Sequence, residues 1–260
     1  MLNKLKQTKM LSNKEEKAIE KEVLEITTFL RRDSGGPGLN QFSELTKHIF
    51  MTSWVGASNR EALRDYKIDR IICLSVEAKP RALMDTYKDY NINHKALQLK
   101  DDQSEDISKH FELIYNELHD AVTKDENILI HCYAGSSLSA AFVLYYYMKR
   151  YYVTNFGKSS KGDIELVDPY QFHLLDIIKF IKEYRPCIEP NAEFVHQLLI
   201  AEMLIKKRLK QFLDKQLETE EKYKREKAAK NAERKKQERN KKIESSESNQ
   251  SDDSSSADST

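Results

Sequence analysis

The chain has 260 residues, of which 39% are hydrophobic and 33% charged, and its formal net charge is +1. The charged fraction exceeds the roughly 25% of an ordinary globular domain and the apolar fraction falls below the usual ~45–50%, so part of the chain is expected outside any packed core. The length allows one domain with extensions or two small domains, and it excludes neither.

The amino-terminal segment has the pattern of a helix. Ser12 is followed three residues later by Glu15, as in a capping box. Apolar residues then recur at helical spacing, which predicts a helix over about 13–31. The run SGGPG at 34–38 ends it. We expect this helix to pack on the body of the protein, with a docking arm as the alternative.

The middle of the chain alternates β-type runs with helical patterns. The predicted strands are 50–55, 70–75, 95–99 and 127–132, and the predicted helices are 59–66, 108–122, 138–151 and 170–184. This alternation indicates an α/β fold with a central, mostly parallel sheet covered by helices on both faces. Such sheets place ligands beyond the carboxyl ends of their strands.

The carboxy-terminal part departs from globular composition. Residues 206–242 carry 16 Lys and Arg against 7 Asp and Glu, which predicts a long, charged, solvated helix. Residues 243–260 are rich in Ser, Asp and Glu and should be disordered. The predicted organisation is an amino-terminal helix and linker at 1–44, a domain at 45–205, a helical extension at 206–242 and a tail at 243–260.

The stretch ILIHCYAGSSLS at 128–139 carries the chemistry. A strand ends at Cys132, a loop rich in Gly and Ser follows, and a helix begins at once. Backbone N–H groups of such a loop and the helix dipole favour an anion, and a thiolate is itself an anion. Gly135 allows a left-handed or close-packed loop, and Ser139 can donate a hydroxyl proton to the sulfur.

The loop HCYAGSSLS resembles the HCxAGxSRS signature of the dual-specificity phosphatases, cysteine-dependent enzymes that hydrolyse phosphotyrosine and phosphoserine or phosphothreonine in proteins. Other segments match the family in the same order: WVGAS with RIICLSVE, LKDDQSEDISKHF at 99–111 and RPCIEPNAEFVHQLLIAE at 185–202. The resemblance covers about 45–205, with an insertion near 152–168. It implies the cysteine-phosphatase fold for that part of the chain.

The resemblance also implies roles for residues. Cys132 is the nucleophile that forms a phosphocysteine, and Asp101 is the general acid and base, with Asp102 as the alternative if the register slips by one. His131 sets the environment of the cysteine and Ser139 supports the thiolate. The phosphate-binding loop consists of Tyr133, Ala134, Gly135, Ser136, Ser137 and Leu138.

Leu138 departs from the family pattern, which has an arginine at the sixth position after the nucleophile. A guanidinium binds two phosphate oxygens at once. Loss of two charge-assisted hydrogen bonds of about 1.5–3 kcal/mol each removes roughly 3–6 kcal/mol, or roughly 10²–10⁴ in rate. Arg150 cannot substitute, since it lies about 18 Å further along the helix. Lys100 and Lys109 lie beside the acid segment, but a lysine is a point charge on a flexible side chain and lacks the planar fork of a guanidinium.

Three functions are therefore predicted as alternatives. The first is a dual-specificity phosphatase homologue of strongly reduced or absent activity that binds phosphorylated protein. The second is a working protein phosphatase that tolerates Leu138. The third is a scaffold or nucleic-acid-associated protein that acts through 206–242, although interspersed acidic residues and the lack of interleaved aromatics argue against a nucleic-acid partner. RNA 5′-triphosphate and phosphoinositides fit less well, because no extra basic residues surround the loop.

The remaining expectations concern partners and compartment. Cys73 and Cys187 lack the context of Cys132 and are predicted to be structural, and the three cysteines form neither a disulfide framework nor a zinc site. No apolar run approaches ~20 residues and no signal peptide is recognisable. We expect a soluble protein of the cytoplasm or nucleus that needs no metal or cofactor and does not bind a membrane. The helical extension is expected to bind a protein partner.

Overall fold

The computed structural model describes residues 11–32, 38–78, 81–155 and 173–250. The chain divides after Lys207 into two compact units. The insertion that we predicted near 152–168 falls largely, and the end of the acidic tail wholly, outside the described residues.

The sheet has five strands in the order β1-β2-β5-β3-β4. The pair β1–β2 is antiparallel and the other neighbours are parallel, so the sheet is mostly parallel, as predicted. Its strands are β1 (Ser43–Thr46), β2 (Ile49–Thr52), β3 (Arg70–Ser75), β4 (Asn93–Leu99) and β5 (Ile128–His131). The carboxyl ends of β2, β3 and β5 lie side by side.

The helices cover both faces of the sheet. In chain order they are α1 (Asn13–Arg32), α2 (Trp54–Ala57), α3 (Arg60–Asp65), α4 (Arg81–Asp89), α5 (Phe111–Thr123), α6 (Leu138–Asn155), α7 (Leu174–Tyr184) and α8 (Ala192–Gln250), with a 3-10 turn at Ser108–His110. No helix in these described ranges combines the length and the apolar character that a bilayer crossing requires.

Alternation along the strands divides the core into two layers. Phe50, Ile71 and Leu129 point to the face covered by α2, α3 and α4, where they pack with Leu63, Leu83 and Tyr87. Their neighbours along the strands, including Met51, Ile72 and Ile130, are fully buried on the other face. The core of the unit is therefore built on both sides of β5, the strand that leads to Cys132.

Helix α1 begins with the predicted capping box. The backbone N–H of Ser12 donates to the Glu15 carboxylate at 2.8 Å, and the Glu15 N–H lies 3.4 Å from the Ser12 hydroxyl. Ile19, Ile26 and Leu30 are buried. Glu15 also pairs with Lys207 at 2.7 Å, so α1 packs on the body of its unit, as expected.

Several boundaries differ from the sequence predictions. The expected strand 50–55 stops at Thr52, because Ser53 caps the short helix α2 by accepting from Gly56 N. The sequence analysis missed β1, which buries one apolar side chain, and α4, whose pattern is short. The expected disorder from 243 is corrected over 243–250, which continue α8 to Gln250; Glu244 and Glu247 are good helix formers and extend the preceding helix.

Candidate active site

The loop after β5 holds the sulfur of Cys132 among donors. The backbone N–H of Gly135 donates to the sulfur at 3.2 Å, and the hydroxyl of Ser139, in the first turn of α6, lies 3.2 Å from it. Cys132 is only 2% exposed. Because an N–H can only donate, the sulfur is an acceptor at this position, which is the role that a thiolate performs best.

Gly135 gives the loop its sharp turn. Its φ angle is +70°, and a Cβ atom at this position would lie 2.3 Å from the carbonyl oxygen of Thr52. A side chain would therefore be both strained and in collision with β2. The loop is also held to the start of α2, where the N–H of Trp54 donates to the carbonyl of Tyr133 at 3.1 Å and the two rings stack with centroids 6.0 Å apart.

A buried arginine holds the loop from behind. Arg185, just after α7, is 2% exposed, and its Nε donates to the carbonyl of Gly135 at 2.8 Å. Its terminal nitrogens donate to the carbonyls of Leu39 at 2.9 Å and Gln41 at 3.1 Å, and to the hydroxyl of Ser43 at 3.1 Å. Burial lowers the pKa of this guanidinium, with the nearby thiols acting in the opposite direction.

The acid segment reaches the loop through Asp101. Its Oδ1 accepts from the Ser137 hydroxyl at 2.8 Å and from the Asn191 amide nitrogen at 2.9 Å. The backbone N–H of Asn191 donates to the same Ser137 hydroxyl at 3.2 Å. Asp102 turns away and accepts from the N–H and hydroxyl of Ser104, each at 2.6 Å; these bonds lower the pKa of Asp102. Of the two carboxylates, Asp101 is therefore the one beside the loop.

The other predicted loop residues take different positions. Tyr133 is 54% exposed at the rim, Ala134 and Ser136 are half-buried, and the Ser136 carbonyl accepts from Glu189 N at 2.8 Å. Leu138, the first residue of α6, is fully buried. An uncharged, inaccessible side chain thus stands where the family pattern has its phosphate-binding guanidinium.

His131 packs beneath the nucleophile. The ring is fully buried, and Nδ1 lies 3.3 Å from the carbonyl oxygen of Cys132. A carbonyl only accepts, so Nδ1 carries the proton and Nε2 is an acceptor. Burial lowers the pKa of His131 to about 4 from an ordinary 6.5, because the site desolvates the imidazolium.

This pKa shift predicts acid sensitivity. The unfolded chain takes up the His131 proton near pH 6.5 and the folded chain only near pH 4, so the contribution of the neutral ring is fully present above pH 6.5 and is lost as pH falls to about 4. We expect about 3 kcal/mol of stability to be lost over this window, from 1.36 kcal/mol per pKa unit. Urea unfolding at several pH values measures it.

The matched variants are His131→Gln and Cys132→Ser. The first should flatten the pH dependence between 6.5 and 4, while the second retains the imidazole and should keep it. Equal slopes for wild type and His131→Gln would show that the ring does not control acid stability.

Sequence reasoning missed Arg185 and Asn191 as site residues. Both lie in the segment RPCIEPNAEF, which we matched to the family without giving its residues a role. The Arg-Pro and Pro-Asn pairs were the available signal. In the described part of the chain, no cluster of His, Cys, Asp and Glu side chains is suited to hold a metal ion.

Comparison with known proteins agrees with this geometry. The family model "Dual specificity phosphatase, catalytic domain" matches residues 49–156. Dual specificity protein phosphatase 18 of Bos taurus is 30% identical over 163 residues, which cover 63% of this chain and 73% of that protein. Dual specificity protein phosphatase MPK-4 of Drosophila melanogaster is 27% identical over 65% of this chain and 38% of that protein, so the chain spans less than half of that relative's length.

Solved structures show the same fold. The human tyrosine phosphatase-like serine/threonine/tyrosine-interacting protein is similar with a TM-score of 0.50 and 25% identity, over 63% of this chain and 96% of that one. DUSP15 matches with a TM-score of 0.50 and 23% identity, over 66% and 96%. The family match over 49–156, which spans the loop after β5, and the 30% identity to the Bos taurus phosphatase, 73% of which is covered, show that the chain belongs to the dual-specificity phosphatase family.

Proposed function

We propose that this chain binds phosphorylated protein segments in its phosphatase-like pocket and turns them over only weakly. One observation carries the proposal, namely that a fully buried Leu138 occupies the loop position of the phosphate-binding arginine. Without the guanidinium, the pocket loses the one side chain that would neutralise two phosphate oxygens in the transition state.

Three nearby cations are engaged elsewhere. Arg185 contacts the loop, but its N–H groups already donate to backbone carbonyl oxygens. Lys109 pairs with Glu105 at 3.5 Å. Arg150 lies next to His119, with 3.4 Å between the nitrogen atoms, and is about three helical turns beyond Leu138. Each of the three would have to leave a partner to replace the missing arginine.

The remaining loop still suits a phosphate group. Backbone N–H groups of 133–138 and the start of α6 provide donors and a favourable dipole, while Gly135 and Arg185 fix the loop's shape. One structural relative is named phosphatase-like and serine/threonine/tyrosine-interacting, which supports a binding function on this fold. The phosphorylated side chain can come from tyrosine, serine or threonine.

Residual turnover would use the predicted roles. The Cys132 sulfur attacks phosphorus, the bond from phosphorus to the leaving oxygen breaks, and Asp101 gives that oxygen a proton. Water then attacks the phosphocysteine, Asp101 takes the proton, and the thiolate leaves with support from Ser139. The missing positive charge affects both steps, because each passes through a phosphoryl group with charge on its outer oxygens.

A binding experiment tests the proposal. Calorimetry of the full chain carrying Cys132→Ser should show binding of a phosphotyrosyl peptide and none of the unphosphorylated peptide. Adding Leu138→Arg should tighten binding by at least about tenfold, because charge-assisted hydrogen bonds are restored.

Two glycine variants provide the matched control. Gly135→Ala should abolish phosphopeptide binding, since its Cβ would meet Thr52 O at 2.3 Å, whereas Gly38→Ala meets nothing within 4 Å and should bind normally. Equal affinity for the two peptides, or no gain from Leu138→Arg, would contradict a phosphate-binding pocket.

A further inference from the structure

A cavity lies on the face of the sheet that α4 covers. Its volume is about 440 Å³, which is within the range of small-molecule sites. Helix α4 forms one wall with Leu83, Met84 and Tyr87, and the edge strand β4 forms the other with His94 to Gln98. Cys73 and His131 line it from the central strands.

The cavity leaves part of the central sheet uncovered by the core that packs on its α4 face. Cys73 lies on a strand with a neighbour on each side, yet it is only partly buried. Its register partner on β4, Ala96, is exposed. Helix α4 therefore leaves a gap over β3 and β4 that opens to solvent and reaches inward to His131.

Most polar groups around the cavity already have partners. The Tyr87 hydroxyl donates to the Ala57 carbonyl at 3.3 Å, and the Cys73 thiol lies 3.5 Å from the Ala78 carbonyl. The Lys95 ammonium pairs with Glu117. Because these three groups are already paired, they offer no free charge to bind a charged ligand.

His131 Nε2 is the fully buried polar atom of this lining that lacks a partner. Within the described ranges of the chain, this fully buried nitrogen has no hydrogen-bond partner. Since Nδ1 carries the ring proton, Nε2 is an acceptor that lacks a donor. A buried polar atom without a partner is unfavourable, and native proteins rarely leave one unsatisfied.

We propose that this cavity binds a small, uncharged, mostly apolar molecule that carries one N–H or O–H donor, and that the donor bonds to Nε2 of His131. The volume sets the size of one or two fused rings, and the buried acceptor Nε2 sets the polar group. A charged ligand would have to be desolvated without a partner of opposite sign, which is unfavourable.

The site is coupled to the nucleophile through the same ring. A donor at Nε2 polarises the imidazole and makes Nδ1–H a better donor to the Cys132 carbonyl, since hydrogen bonds in a chain strengthen one another. Occupancy of the cavity is therefore felt at the backbone of Cys132, on the other side of the ring.

Indole is a suitable probe because it has one N–H on a fused apolar ring, and indene is its matched control without a donor. In the full chain labelled with ¹⁵N-histidine and ¹³C-carbonyl cysteine, indole should saturably shift the Nε2 signal of His131 upfield and the carbonyl signal of Cys132 downfield. Indene should bind about two- to tenfold more weakly. The signals are assigned with His131→Gln and Cys132→Ser.

Two variants test the location. Ala96→Phe places a ring in the mouth of the cavity on an exposed strand position and should remove indole binding. Glu44→Phe adds the same ring at an exposed position of the other edge strand, β1, and should not. No saturable binding to wild type, binding unchanged in Ala96→Phe, or equal affinity for indole and indene would each overturn the site. A shift at Nε2 without one at the Cys132 carbonyl would overturn the coupling alone.

Discussion

Replacing Leu138 with arginine is expected to raise the turnover of a phosphotyrosine mimic by about 10²–10⁴-fold, as two charge-assisted hydrogen bonds to phosphate are restored. Gly135 N and the Ser139 hydroxyl already lie 3.2 Å from the Cys132 sulfur, so the substitution adds the charge to a loop that is otherwise formed. The measurement is kcat/KM of the purified full chain on para-nitrophenyl phosphate beside wild type.

Matched variants at the same position separate charge from shape. Leu138→Met keeps the volume and adds no charge, so it should stay at the wild-type rate. Leu138→Lys adds a point charge without the planar fork and should fall between wild type and arginine. Cys132→Ser in the arginine background should remove the gain. Wild-type turnover near that of Leu138→Arg, lost in Cys132→Ser, would instead establish a working phosphatase.

Replacing Arg185 with methionine is expected to lower the free energy of unfolding by about 3–5 kcal/mol, because each buried carbonyl oxygen left without a donor costs about 1–3 kcal/mol. The side chain is 2% exposed and donates to the carbonyls of Gly135, Gln41 and Leu39. Methionine fills much of the volume but leaves those oxygens without donors. Urea denaturation followed by circular dichroism measures the change.

Arg64→Met is the control for this prediction. The Arg64 side chain is 66% exposed and pairs with Asp65 at 3.9 Å, so its removal should change stability by no more than about 0.5 kcal/mol. A loss below about 1 kcal/mol in Arg185→Met would mean that water replaces the guanidinium, and that Arg185 does not hold the loop.

The nucleophile loop was predictable because its parts are neighbours in the chain. Cys132, Gly135 and Ser139 lie within eight residues between a strand and a helix, so the local pattern already determines which groups face one another. The parallel sheet followed from the alternation of strands and helices. The replacement of arginine by Leu138 was also visible in the sequence, because it is a departure at one position of a short motif.

The tertiary structure decided the contacts that cross the chain. Arg185 is fifty residues from Gly135 and about one hundred and forty from Gln41, and Asn191 is ninety from Asp101. The segment RPCIEPN alone does not indicate which carbonyl oxygens Arg185 will contact. Which of Asp101 and Asp102 lies beside the loop was likewise open in the sequence, and in the folded chain Ser137 and Asn191 contact Asp101.

The sequence by itself determined the family, the loop that places Cys132 between a strand and a helix, and the leucine at position 138, because a short segment needs only local geometry. The tertiary structure decided how the loop is supported and where the cavity beneath His131 lies. A buried donor bonds to whichever acceptor the folded chain brings within reach, whatever the separation of the two residues in sequence. In the same way, the registers of β3 with β4 and with β5 place Cys73, Ala96 and His131 side by side around the cavity.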